Sequence, residues 1–190
     1  MEHMGIISLG TGIGGPLGIY GALLHVLNHA LSKPLMFFAS GRIQAHYGST
    51  KIENVTGVLS SMPLLGTLTF IGVLSLAGTP PFNIFLSEFT MLKAGVDKGL
   101  WTVVGLFLFF VVIVFYGVLS GFGKMLFGKN IPTSHPHGFS SSKPLRTDFS
   151  TLCSNSIMIV MASLIIVLGF RIPGFIDSTI RACINILGVK

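Results

Sequence analysis

Charged residues are scarce in this chain. Only 9% of its 190 residues are Asp, Glu, Lys or Arg, whereas 51% are hydrophobic. The mean hydropathy of +0.81 lies outside the range of an ordinary soluble domain and indicates a chain that is solvated by lipid. The net charge of +6 does not indicate a nucleic-acid surface, because the charges lie mostly between apolar runs, as expected at membrane borders.

Cysteine is almost absent as well. Cys153 and Cys183 are far apart, and neither belongs to a CxxC or Cys/His cluster. They predict no disulfide framework, zinc site or iron–sulfur site. The two histidines of "SHPHG" at 134–138 are interpreted as ordinary loop residues. We therefore expect no metal and no cofactor in this chain, and any electron transfer is expected to occur elsewhere.

Long apolar runs are what the sequence does contain. They predict an all-α polytopic membrane protein with about six transmembrane segments, several of which reach the roughly 20 residues that a helix needs to cross a bilayer. A polar, Pro- and Ser-rich stretch at 128–151 is predicted to be an aqueous loop. The apolar segments lie at about 4–15, 19–43, 59–77, 82–95, 100–123 and 152–170.

The prolines and the C-terminal tail modify this pattern. Pro80 and Pro81 interrupt the backbone hydrogen bonding between the third and fourth segments, so the sequence predicts one broken helix. In the tail at 171–190, apolar residues recur at helical spacing opposite polar ones. This pattern predicts an amphipathic helix that lies along the membrane interface or, about as readily, packs against a partner subunit.

Three ionisable side chains stand four residues apart in the second segment: His25, His29 and Lys33. On an α-helix a four-residue step turns about 400° and rises about 6 Å, so these side chains form one slowly drifting stripe. Ionisable groups inside a span usually face a bundle interior or a hydrated cavity. Since histidine exchanges protons near neutral pH, the stripe predicts a proton relay that is bridged by water.

Glu88 is an acidic residue that follows the Pro-Pro interruption in "GTPPFNIFLSEF". Free backbone N–H groups at the start of a helix favour a charged carboxylate. Removal from water favours the neutral acid. We expect the balance of these opposing effects to let Glu88 change its protonation state.

Each of these features also has a structural interpretation. The two histidines can be hydrogen-bonded packing groups between helices, with Lys33 snorkelling toward a lipid headgroup. Glu88 can be a helix-start carboxylate at the membrane surface. Three ionisable groups on one stripe favour a pathway, whereas for Glu88 alone the two interpretations are evenly matched.

Three motifs in residues 1–127 resemble, in order, those of a known family. "MEHMGI", "HVLNHALSKPLMFFASG" and "LAGTPPFNIFLSEF" are similar to motifs of the antiporter-like membrane subunits of respiratory complex I, Mrp cation/proton antiporters and membrane-bound hydrogenases. Within that family they most resemble hydrogenase-4 component F. The resemblance implies the second of two inverted repeats, each with a broken helix and a row of buried ionisable residues.

The resemblance also assigns roles to residues of this chain. His25, His29 and Lys33 match the relay on the family's tenth helix. Glu88 matches the acidic exit residue of the broken twelfth helix, and His3 matches the histidine of the ninth. Such subunits translocate protons or Na⁺, driven by redox chemistry in partner subunits, and have no redox site of their own.

The resemblance finally implies a setting for the chain. Residues 1–127 are expected to be a partial translocating domain without the first repeat, in a truncated or split gene product or a fragment of a longer reading frame. The expected partners are membrane and redox subunits of a hydrogenase or complex I-like assembly, in the lipid of a bacterial or archaeal inner membrane. The alternatives are a subunit of an Mrp-type Na⁺/H⁺ antiporter and a non-conducting membrane remnant.

Overall fold

A computed structural model describes residues 2–49, 51–128 and 149–188, and all regular structure in these ranges is helical. The all-α prediction is therefore confirmed for this part of the chain. The predicted loop at 128–151 lies almost wholly outside the described residues, as do the histidines of "SHPHG". The helices are α1 (Glu2–Ile13), α2 (Gly15–Tyr47), α3 (Val58–Ser61), α4 (Pro63–Leu76), α5 (Asn83–Asp97), α6 (Trp101–Phe127), α7 (Phe149–Phe170) and α8 (Gly174–Ile186), with a 3₁₀ turn at Ile52–Asn54.

The long helix α2 lies at the centre of the bundle. It begins with a proline in its first turn and ends at Gly48 in the left-handed conformation, both of which are typical helix boundaries. It packs against α1, α4, α5, α7 and α8. Its side chains therefore face several neighbours at once, and polar groups on it meet polar groups from other helices.

The helices α1 and α2 form an antiparallel pair that turns at Gly14 and Gly15. Close to the turn, a Cβ on Gly18 would lie 2.9 Å from the carbonyl oxygen of Gly10. Farther from the turn, the ring of His3 is bonded to that of His25. The pairing thus carries a residue from the very start of α1 to the interior of the bundle.

The interruption between α4 and α5 occupies residues 77–82, which include Pro80 and Pro81. At the end of α4, Gly78 adopts a left-handed φ of 67°, and the N–H of Thr79 donates to the carbonyl of Leu74 at 3.1 Å. This is a usual way to close a helix end. The helix α5 then begins at Asn83, whose side-chain oxygen accepts the N–H of Ile84 at 3.0 Å.

Two helices in the described ranges are long and apolar enough to cross a bilayer: Trp101–Phe127 and Thr151–Phe170. Only 11% and 22% of their most apolar stretches are buried in this chain, so they are not core helices of a soluble protein. The helix α2 is longer than either, but polar side chains interrupt its apolar surface. The predicted count of about six spans is not confirmed.

The amphipathic tail helix α8 packs on its own chain. Its buried residues Ile180 and Ile184 form one apolar cluster with Leu24 of α2. Asp177 accepts one hydrogen bond from Arg181 at 2.8 Å and another from the hydroxyl of Tyr20 at 2.7 Å. These two bonds hold the pKa of the Asp177 carboxyl below its ordinary value, and the bond from Arg181 has the larger effect. The placement of this helix along the membrane interface stays a prediction.

A single glycine allows α7 to lie against the interruption. A Cβ on Gly169 would overlap the carbonyl oxygen of Pro81 and would lie 2.9 Å from the Cα of Phe82. Both atoms belong to the backbone, so neither can move aside as a flexible side chain would. The close approach of α7 to the interruption therefore depends on the missing side chain.

We predict that Gly169→Ala lowers the stability of the protein by roughly 1–3 kcal/mol, because the added methyl group forces the backbones apart. The matched control is Gly117→Ala in α6, where nothing lies within 4 Å of a new Cβ. Helix propensity should leave that variant neutral or up to about 1 kcal/mol more stable. Unfolding of both variants in detergent checks the prediction, and equal unfolding midpoints would contradict it.

Candidate functional site

Three histidines and a glutamate meet where α1, α2 and α5 pack together. His25 is fully buried, His29 is 9% exposed and Glu88 is 7% exposed, while His3 is half-buried. The Nδ1 of His3 lies 3.1 Å from the Nε2 of His25. The ring centroids of His3 and His29 are 4.6 Å apart. His3, from α1, thus bridges the two histidines of α2.

The hydrogen bonds around His25 indicate how its protons are arranged. The hydroxyl of Ser87 donates to the carbonyl oxygen of Ile84 at 2.7 Å, and it lies 2.9 Å from the Nδ1 of His25. Since a hydroxyl has one proton, it accepts from His25, which must carry its proton on Nδ1. For a neutral His25, the Nε2 is then an acceptor and His3 is the donor. We assign these tautomers from the hydrogen bonds.

Glu88 lies beside this pair of imidazoles. One ligand atom from each of His3, His25 and Glu88 lies within 4.8 Å of the other two. Because the carboxylate is not in direct hydrogen-bond contact with either ring, a bridging water would be needed to link it to them. Glu88 lies in the second turn of α5, and the N–H of Ile84 in the first turn is already satisfied by the side chain of Asn83. A surface helix-start role therefore does not account for its burial.

The backbone at the interruption makes room for this carboxylate. Gly78 has a φ of 67°, which side-chain-bearing residues rarely adopt. A Cβ at Gly78 would also overlap an oxygen of Glu88. Both constraints favour glycine, and both follow from the end of α4. The helix interruption thus places a glycine beside Glu88, where any larger residue would collide with the carboxylate.

The ligand atoms of His3, His25 and Glu88 lie close enough together to suggest a site for a divalent cation. However, the direct bond between His3 and His25 already uses one ring nitrogen of each. The second nitrogen of His25 is bonded to Ser87. A cation would have to break the bond between the imidazoles, so we interpret the arrangement as a hydrogen-bonded chain.

The remaining members of the predicted stripe lie progressively nearer the surface. The Nδ1 of His29 is buried and has no hydrogen-bond partner among the described residues. Lys33 is exposed, with its ammonium 5.9 Å from the ring centroid of Phe37. A stripe with four-residue spacing drifts by about 40° per step. The structure therefore collects the histidines and Glu88 in one place and leaves Lys33 at the surface of the chain.

Sequence reasoning missed a buried polar network next to this site. The side-chain amide of Asn28 donates to the backbone oxygen of Asn83 at 2.7 Å, and that of Asn83 returns a bond to Asn28 at 3.4 Å. Ser75 donates to the side-chain oxygen of Asn83 at 2.9 Å and is paired with Ser32 at 2.9 Å. All four residues are at most 1% exposed. These bonds tie α2 to both sides of the interruption.

A signal for part of this network was present in the sequence. Asn28 and Ser32 are four residues apart, and each directly precedes a member of the ionisable stripe. Polar residues at helical spacing in an apolar span predict hydrogen bonds across helices. Asn83 and Ser87 gave a weaker signal, because short polar residues near prolines are also common in turns.

The chain is similar to known proteins over most of its length. Residues 1–114 match the family described as NADH:quinone oxidoreductase/Mrp antiporter, transmembrane. A hydrogenase-4 component F homolog of Methylacidiphilum infernorum (isolate V4) is 34% identical over 166 residues, which are 87% of this chain and 33% of that protein. A Na(+)/H(+) antiporter subunit of Bacillus subtilis (strain 168) is 30% identical over 134 residues, or 70% of this chain and 27% of that protein.

The fold is shared with a solved structure. A chain of the Mrp complex from Dietzia sp. DQ12-45-1b matches with a TM-score of 0.79 at 20% sequence identity, over 96% of this chain and 40% of that one. This chain thus spans about a third of the length of these proteins. The resemblance predicted from the three motifs is confirmed. Because the match at residues 1–114 covers more than half of the sequence, the chain belongs to the membrane-embedded NADH:quinone oxidoreductase/Mrp antiporter family.

Proposed function

We propose that this chain is a proton-translocating membrane subunit of a redox-driven complex, of the hydrogenase or complex I-like type, and that it supplies part of the pathway. The observation that carries the proposal is the bonded pair His3–His25, buried beside Glu88 at a helix interruption. The relative named as a hydrogenase-4 component supports the redox-driven class, since it matches 87% of the chain. Its partners would be other membrane and redox subunits, in a bacterial or archaeal inner membrane.

The site can hold one proton in two arrangements that have the same net charge. Either Glu88 is a neutral acid beside neutral imidazoles, or the proton has moved through a water to His3 and leaves an ion pair. Both arrangements are neutral overall, so the transfer does not create an uncompensated charge inside the bundle. The tautomers assigned above leave the Nε2 of a neutral His3 as the acceptor for such a proton.

From His3 the proton can continue along α2. Its Nδ1 is bonded directly to His25, and its ring lies against that of His29. The step from His29 to Lys33 covers about 6 Å along the helix, so it requires water. Lys33 would then be the last group of the route within this chain, and Ser87 would hold His25 in place as a positioning residue. A proton that crosses a membrane potential of about 100 mV gains or loses about 2.3 kcal/mol of free energy. The route must therefore be gated so that it is not open to both sides at once.

We predict that Glu88→Gln reduces proton uptake by about a hundredfold, the lower end of what a positioned proton-transfer group contributes. Glutamine keeps the shape and hydrogen-bonding capacity of the side chain but cannot carry the proton. Proton uptake is measured with a pH-sensitive dye in vesicles that hold the chain in its native complex. The matched control is Asp97→Asn, which removes an exposed carboxylate at the end of the same helix. Equal uptake by the two variants would refute the role of Glu88.

The bonded imidazole pair of His3 and His25 can be tested separately. His25→Gln should reduce uptake to a similar degree, because the amide can bond to His3 and Ser87 but cannot pass a proton on. His46→Gln, at the exposed end of α2, removes a histidine that lies far from the site and should have little effect. Unfolding midpoints are measured in parallel. If the complex takes up protons normally while it holds a folded His25→Gln variant, the histidines are packing groups, and this chain is better described as a non-conducting remnant within a complex that conducts elsewhere.

A second candidate function is Na⁺/H⁺ antiport without redox coupling. It is favoured by the Bacillus subtilis relative, which is named as an antiporter subunit and is 30% identical over 70% of the chain. The two functions differ in what drives proton movement. A Na⁺ gradient imposed on the vesicles would drive it in an antiporter, whereas only an electron donor and acceptor would drive it in a redox complex. Proton movement that follows Na⁺ alone would replace our proposal with this one.

A further inference from the structure

A second polar feature lies away from the proton site. A groove of about 650 Å³ opens between the start of α2, the C-terminal half of α5 and α8. Leu17 and the exposed Phe89 form most of its apolar wall, the largely buried Ile184 completes it, and Lys93 and Arg181 bring two positive charges to it. None of these five residues takes part in the proposed proton route. The groove therefore requires its own explanation.

The positive charge of this groove is only partly compensated. Lys93 is exposed and makes no hydrogen bond or ion pair with any described residue. Arg181 is bonded through its Nε to Asp177, which neutralises one of the two cations. The guanidinium lies 5.6 Å from the ring centroid of Tyr20, and its two terminal nitrogens make no bond within the described ranges. The groove thus keeps an excess positive charge and free hydrogen-bond donors for an anion.

The depth of the groove can be judged from neighbouring helices. The helix α5 ends at Asp97, and the most apolar span begins shortly afterwards, at the exposed Trp101. Tryptophan is enriched where a span enters the bilayer. Lys93 lies about 6 Å along α5 from Asp97, which places it one turn inside this border. Phosphate groups of lipids lie at the level of the border, which the long side chain of Lys93 can reach, and acyl chains begin just below it.

We propose that this groove binds an anionic phospholipid. The phosphate would lie between Lys93 and Arg181, and an acyl chain would follow the wall formed by Leu17, Phe89 and Ile184. Basic pockets between membrane helices bind the headgroups of anionic lipids in this way. The combination of charge, apolar wall and depth favours a lipid over a soluble anion, which would leave the apolar wall uncovered. A bound lipid would hold α8 against the bundle, since it contacts α2, α5 and α8 together.

The test is a titration of the full 190-residue chain in neutral detergent, with bound lipids counted by native mass spectrometry. The probes are phosphatidylglycerol, phosphatidylcholine and inorganic phosphate. We expect phosphatidylglycerol to bind in preference to the zwitterionic lipid, and inorganic phosphate not to displace it. Lys93→Ala should weaken the binding of phosphatidylglycerol about fivefold, the effect of one cation near a lipid surface. Lys93 makes no bond in the described chain, so this variant should fold normally.

The control is Lys51→Ala, which also removes an exposed lysine, just before the 3₁₀ turn, and should leave lipid binding unchanged. Arg181→Gln provides a second variant with a similar expected loss. Equal affinity of Lys93→Ala and Lys51→Ala for phosphatidylglycerol would overturn the proposal. So would equal binding of the two lipids, or displacement by inorganic phosphate, which would indicate a site for a free anion. Binding of neither lipid would also overturn it and would favour a partner subunit as the occupant.

Discussion

A polar group that is taken out of water costs free energy unless it finds a partner inside the protein, and this constraint shapes the centre of the bundle. The interruption between α4 and α5 frees backbone groups that a continuous helix would have used. Asn83 satisfies one of them at the start of α5 and also binds Asn28 and Ser75. The same bonds fix the position of α5 against α2. The satisfied interruption thereby determines that Glu88 faces the histidines rather than lipid.

The site combines parts that are held firmly with parts that are not. His25 has both ring nitrogens bonded, one to Ser87 and one to His3, and it is fully buried. His29 has a buried nitrogen without a partner in the described ranges, and Glu88 lies beyond direct bonding distance of the imidazoles. A proton route needs both kinds of contact. In the proposed route the bonded pair would hold the imidazoles in position, whereas the gaps would require water and could therefore be opened or closed.

Local patterns allowed much of this to be predicted from sequence. Apolar runs predicted the helices, and two adjacent prolines predicted the interruption. The pairing of α1 with α2 is a tertiary contact, so the role of His3 followed from family resemblance and not from spacing. The network around Asn83 was missed because hydrogen bonds between distant helices leave only a weak local pattern. The number of spans could not be settled, since the polar residues that build the site also lower the apolar character of α2.

The position of Lys33 bears on whether the stripe is a relay or a set of packing groups. Lys33 is exposed next to Phe37, which is 65% exposed, so this surface is otherwise apolar. If α2 spans the bilayer, Lys33 lies about 21 Å along the helix from Tyr47 and about 27 Å from Gly15. The helix is about 50 Å long and extends beyond the roughly 30 Å hydrocarbon core, so for a centred, upright α2 the nearer border lies about 12 Å along the axis from Lys33, which a lysine side chain does not bridge. An ammonium at this depth needs water or protein beside it. For such a placement snorkelling does not account for Lys33, and the relay interpretation requires a neighbouring protein surface that covers Lys33 and keeps it hydrated.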